Sequence, residues 1–117
     1  MITLAIVLAG ALGAPSRYLV ERSISTRMGA RYPWGTLLVN LLGAAALGLL
    51  AGSIEYHHVD RDLARIAGVG FLGAFTTFST FAVEANRLRL PARLGYLGAS
   101  IGGGLILAAI GVAITAR

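Results

Sequence analysis

The chain has no cysteine and no lysine, and only 13% of its 117 residues are charged. Without cysteine there is no disulfide framework, no thiolate nucleophile and no redox signature of a compartment. Acids are scarce as well. The three glutamates, Glu21, Glu55 and Glu84, fall at the ends of apolar runs, and the two aspartates, Asp60 and Asp62, lie in a loop. No acid stands where a membrane proton relay or a carboxylate cation site would need one. This excludes the usual machinery of coupled transport and favours passive conduction. Adjacent His57 and His58 have Glu55 and Asp60 nearby, but neighbouring imidazoles are not a catalytic spacing and are a poor metal-ligand spacing. Nothing in the chain suggests an enzyme.

Apolar residues make up 56% of the chain and the mean hydropathy is +0.77, well above an average soluble domain. Residues 32–54 and 94–116 contain no charge, and each exceeds the ~20 residues that span hydrocarbon. Residues 66–83 are also uncharged, and residues 1–16 form a span if Arg17 snorkels to the interface beside Tyr18. Four spans are predicted, at about 2–20, 33–54, 63–84 and 94–116, within one membrane domain covering 1–117. The first has no basic residue ahead of it, so it is not expected to be a cleaved secretory signal.

The net charge of +5 comes from ten arginines against five acids. Arg22, Arg27 and Arg31 lie after the first span and Arg87, Arg89 and Arg93 after the third. That is where cations flank membrane segments, so the basic balance does not imply nucleic acid.

In a bilayer the spans must be helices, and small residues four apart, such as Ala44 with Gly48 and Gly98 with Gly102, let helices approach closely. The third span is unusual. Residues 70–81, GFLGAFTTFSTF, place four aromatics and four hydroxyls in mid-span. Two readings stay open: a local break that frees carbonyls able to hold a cation, or an intact helix whose hydroxyls bond back to the preceding turn. Phe75, Phe78 and Phe81 form either a packing stripe or a row of ring edges that can stabilise a passing anion. Asn40 lies deep in the second span, where an amide needs a partner or a polar path. Tyr96, Ser100 and Gly104 share one face of the fourth helix.

Taken together, these stretches resemble the bacterial fluoride channel family known as Fluc or CrcB. The resemblance covers the whole chain. It rests on residues 10–18 (GALGAPSRY), residues 35–40 (GTLLVN) with Gly43, residues 70–81, and Tyr96 with Ser100. It implies an all-α membrane protein of four transmembrane helices, the third broken near its middle, assembled as an antiparallel dual-topology dimer in the bacterial inner membrane among its lipids. It implies passive export of fluoride from the cytoplasm through pores at the dimer interface. Phe78 and Phe81 would then be the pore phenylalanines, Asn40 a hydrogen-bond donor to the ion, and Thr77, Ser79, Tyr96 and Ser100 parts of the fluoride pathway. Backbone carbonyls of Gly73 and Thr76 would hold a structural Na+ ion. Arg17 would lie at a vestibule or anchor its helix. Position 104 departs from the family, being glycine where a hydroxyl is usual. A small multidrug-type four-helix transporter is the alternative, but it requires a membrane-centred glutamate in span one, which is absent here. A non-conducting membrane subunit would leave the Phe, Thr and Asn residues without purpose.

Six arginines in the first and third loops outnumber Arg61, Arg65 and Arg117 on the other side. That bias would turn the two loops to the cytoplasm and would favour a heterodimer with an oppositely oriented homologue; the resemblance implies a homodimer. Because the chain lacks cysteine, one introduced in the first loop reports orientation cleanly. For a homodimer, the chain expressed alone is expected to be labelled from both sides of the membrane. Labelling from one side only, with inactive purified protein, would contradict it.

Overall fold

A computed structural model describes residues 1–29 and 31–117. Helix α1 spans Ile2–Met28 and α2 spans Trp34–His57. A short α3, Arg61–Arg65, leads into a π-helical segment, Ile66–Leu72, followed by α4, Gly73–Phe75, and α5, Ser79–Arg87. The last helix, α6, covers Leu90–Thr115. Among the described residues four stretches are long and apolar enough to cross a membrane: Ile2–Met28, Trp34–His57, Arg61–Arg87 and Leu90–Thr115. The longest dimension is 44 Å, close to the ~40–45 Å of a bilayer with its headgroups.

Local chemistry sets the ends of these helices. α1 runs on past position 20 because residues 21–28 contain neither glycine nor proline, and it stops where Gly29 turns to φ 85°. Arg22 and Arg27 therefore sit on a helix rather than in a loop. His58 terminates α2 in the left-handed region, φ 54° and ψ 43°. Asp60 caps α3, its Oδ2 accepting from the amides of Asp62 and Leu63 at 3.1 Å each. At the other end of the third span, Arg93 donates to the carbonyls of Ala85, Asn86 and Leu88 at 3.1, 3.2 and 3.0 Å, supplying donors that the last turn of α5 lacks.

α2 packs chiefly on α6, and α1 packs on the π-helical segment and α4. The α2–α6 seam depends on small residues. A Cβ on Gly111 would come within 2.6 Å of the Leu49 amide nitrogen and 2.8 Å of the Ala45 carbonyl. Gly48 lies in this seam, whereas a Cβ on Gly98 or Gly102 would meet nothing within 4 Å among the described residues. Spacing alone makes the two pairs look equivalent, but only the first packs within the chain. Few side chains are enclosed. Val39 and Tyr96 are fully buried and Thr36 nearly so, while Leu12, Leu19 and Leu105 stand mostly exposed, as lipid-facing or partner-facing residues do.

Because the seam holds backbone against backbone, Gly111→Leu is expected to destabilise the fold by at least ~1–3 kcal/mol, read as a lower melting temperature and loss of the monodisperse species in detergent. Gly98→Ala, whose added methyl would meet nothing within 4 Å among the described residues, is expected to lower the melting temperature less than Gly111→Leu.

Candidate functional site

The helical hydrogen-bond pattern lapses between α4 and α5. Thr76 closes α4: its amide and its Oγ1 both donate to the Leu72 carbonyl at 2.9 Å, and its backbone is extended, φ −85° and ψ 162°. In an unbroken α-helix the Thr77 amide would bond the Gly73 carbonyl. Here it donates to Asn40 Oδ1 at 3.0 Å, and Asn40 Nδ2 donates to the Thr77 carbonyl at 2.9 Å. One side-chain amide on α2 thus satisfies both backbone groups of one residue in the third span. Thr77 Oγ1 then accepts from the Thr80 amide at 3.2 Å, helping to start α5 as an N-cap hydroxyl does. From α1, Arg17 Nη1 approaches the Thr76 carbonyl at 3.5 Å.

A cavity of about 440 Å³ opens beside this stretch, between α2, the third span and α6. Asn40, Gly73, Thr76, Thr77, Phe78, Phe81 and Ser100 are on its wall, and among the described residues no ionisable side chain is. Gly43 is there too, and it is buried. Phe78 is 78% exposed and Phe81 only 7% exposed, with ring centroids 5.7 Å apart and planes at 51°. The Ser100 hydroxyl oxygen is buried without a hydrogen-bond partner among the described residues.

Other residues singled out from the sequence lie elsewhere. Tyr96 sits behind Phe81, centroids 5.2 Å apart, and meets Tyr32 edge-on at 5.7 Å. It is fully buried in the core with Leu37, Phe81 and Ala85, and is off the cavity wall. Ser79 is exposed and also off the wall. Gly104 faces α2, where a Cβ would lie 3.7 Å from that of Ala44. His57 Nε2 contacts the Thr115 carbonyl at 2.8 Å, tying the ends of α2 and α6. Among the described residues no group of three or more His, Asp or Glu side chains could hold a metal.

One polar cluster was not anticipated. Thr36 Oγ1 donates to Glu84 Oε1 at 2.8 Å. A second cavity, of about 260 Å³, brings these two together with Glu21, Arg31 and Arg87. In the sequence Glu21 and Glu84 are distant acids at span ends. Only the fold makes them neighbours.

If Asn40 holds the unwound stretch, Asn40→Leu leaves the Thr77 amide and carbonyl unpaired at membrane depth. A loss of roughly 2 kcal/mol or more is expected, read as a fall in melting temperature. Asn40→Asp keeps the acceptor for the Thr77 amide and should be the milder of the two in melting. Equal stability of wild type and the leucine variant would contradict the assignment.

The sequence profile of the family described as CrcB-like protein, Camphor Resistance (CrcB), matches residues 4–112. A protein of Hahella chejuensis called fluoride-specific ion channel FluC is 44% identical over 115 residues, covering 94% of this chain and 91% of its own length. The Chloroflexus aurantiacus protein of the same name is 42% identical over 117 residues, covering 95% and 92%. Fluoride-specific ion channel FluC 2 of Mycobacterium tuberculosis is 46% identical over 87 residues, 74% of this chain, and there the match spans 66%, just under two thirds, of the relative's length.

Proposed function

The chain belongs to the CrcB family, whose members are channels and not enzymes, and we propose that it is a passive, fluoride-selective channel that lets fluoride leave the cytoplasm across the inner membrane. The observation that carries this reading is the cavity beside the unwound stretch. It unites Asn40, Thr77, Phe78, Phe81 and Ser100, and it bears no charge. Fluoride is small and strongly hydrated, so a pore must offer many replacement contacts and still release the ion. Neutral donors and the positive edges of phenyl rings do this without the deep well that a cationic side chain would create. The unpaired Ser100 hydroxyl is available to donate to the ion. Asn40 has one amide proton engaged by the Thr77 carbonyl, and an amide carries two, so the second can serve the anion. Tyr96 and Ser79, off this wall, fit a supporting role: Tyr96 backs the Phe81 ring, and Ser79 is free to extend the polar path where a second subunit closes it.

A second copy in the opposite orientation would complete the pathway. Phe78 is largely exposed on a single chain, and Gly98 and Gly102 leave an open groove of small residues on α6, which suits close helix approach. The same unwound stretch fits a structural sodium ion. With the Thr77 amide directed to Asn40, the Gly73 carbonyl is relieved of its helical partner, and the Thr76 carbonyl meets Arg17 only at 3.5 Å. Neutral carbonyl oxygens suit a hard monovalent cation. Arg17, in only a long contact with this stretch, then serves to anchor α1. The small multidrug reading has nothing comparable, since no acid lies at the centre of α1.

The test is fluoride efflux from liposomes that contain only this purified protein. Fluoride release on adding a potassium ionophore is expected, and retention of the fluoride would refute the proposal. Phe78→Ile is the cleaner pore variant, because Phe78 supports little of the core; roughly a tenfold drop in efflux is expected with the dimer intact. Phe81→Ile should lose efflux and also some stability. Replacing Na+ by a large organic cation throughout purification is expected to lower the melting temperature; an unchanged melt would count against the sodium site.

A further inference from the structure

A groove of about 420 Å³ lies between the C-terminal half of α2 and the start of the third span, next to the neutral cavity, with which it shares Leu47 and Gly68. Its wall is apolar, formed by Leu47, Leu50, Ala51 and Ile54 of α2 with Val69 of the π-helical segment. Gly68 also lines it, and a Cβ there would meet Leu50 Cδ2 at 3.1 Å. At one end stand Arg61 and Arg65. They are four residues apart on α3 and so share a face. Both are exposed. Among the described residues the three nearby acids, Glu55, Asp60 and Asp62, do not line the groove: Asp60 is turned to the Asp62 and Leu63 amides as a helix cap.

We propose that this groove is a binding site for an anionic phospholipid, with one acyl chain lying along Leu47, Leu50, Ile54 and Val69 and the headgroup phosphate between Arg61 and Arg65. Two features select this occupant. The groove wall is largely apolar, as an acyl chain requires, and its charged lining consists of two cations at the level where the third span begins. A basic pocket between membrane helices at that level matches an anionic headgroup, and guanidinium pairs bind phosphate in a fork geometry. A zwitterionic lipid fills the apolar part equally well but gains less from the arginines. The inference depends on the chain crossing a membrane and not on the ion it conducts, so it stands or falls separately from the fluoride reading.

Native mass spectrometry of the purified protein, titrated with phosphatidylglycerol or phosphatidylcholine of the same acyl chains, tests it. The wild type is expected to retain phosphatidylglycerol at about tenfold lower concentration. The double variant Arg61→Gln/Arg65→Gln should lose that preference, and Arg61→Lys/Arg65→Lys should keep most of it. Ala51→Trp, which fills the groove and leaves the arginines in place, should weaken retention of both lipids. Arg27→Gln, on α1, should behave as wild type. Equal retention of the two lipids by the wild type, an unchanged preference in the glutamine variant, or the same loss in Arg27→Gln would overturn the proposal. So would efficient disulfide formation between copies carrying Ile54→Cys in membranes, because a second copy would then occupy the groove.

Discussion

A bilayer offers no water to the amide and carbonyl of Thr77, and an unpaired backbone group at that depth costs several kcal/mol. Everything distinctive about the third span depends on how that cost is avoided. Asn40 exchanges two hydrogen bonds with Thr77, much as a neighbouring strand would, and this lets the chain leave the helix for residues 76–78 without leaving its polar groups bare. The hydroxyls on either side complete the repair: Thr76 back to Leu72, Thr77 forward to Thr80. The cavity, the exposure of Phe78 beside the buried Phe81, and the loss of the Thr77 amide as the helical partner of the Gly73 carbonyl all go with that short departure.

The rest of the molecule keeps this stretch in position. α1 lies against the π-helical segment and α4, closely enough that a Cβ on Gly70 would reach within 2.7 Å of the Ile6 carbonyl. α6 is drawn onto α2 by a seam of glycines, and Tyr96 fills the space behind Phe81. Arg93 fastens the end of α5 to the start of α6. Rigid support from ordered helices on both sides is what a short irregular segment needs to keep one geometry. The exposed surfaces of Leu12, Leu19 and Leu105 lie on stretches apolar enough to cross a membrane.

How much of this could be read from the sequence depends on the kind of force involved. Hydropathy is a local property, so the uncharged runs at 32–54 and 94–116 identified their helices directly, and the all-helical membrane architecture with them. Helix ends were less legible: the apolar run stops near position 20, but α1 continues to Met28 because nothing breaks it before Gly29. The depth of Asn40 marked it as needing a partner, yet only the packing of α2 on the third span identifies Thr77. The seven-residue π-helical segment, Ile66–Leu72, has no compositional mark at all, since a shift from i+4 to i+5 bonding changes no side chain. Spacing likewise could not tell that Gly48 is enclosed while Gly98 and Gly102 are open. Glu21, Thr36 and Glu84 share a cavity although 63 positions separate the first from the last, and long-range meetings of that kind leave no trace in a single sequence.

The central claim is that a neutral cavity, braced by one asparagine, passes fluoride and little else. It is tested most directly in a planar bilayer with fluoride on one side and chloride on the other, by measuring the voltage at which current through the purified protein reverses. A current carried almost wholly by fluoride is expected, with no measurable reversal within the accessible voltage range. Reversal near zero, which would mean that chloride permeates as well as fluoride, would contradict it.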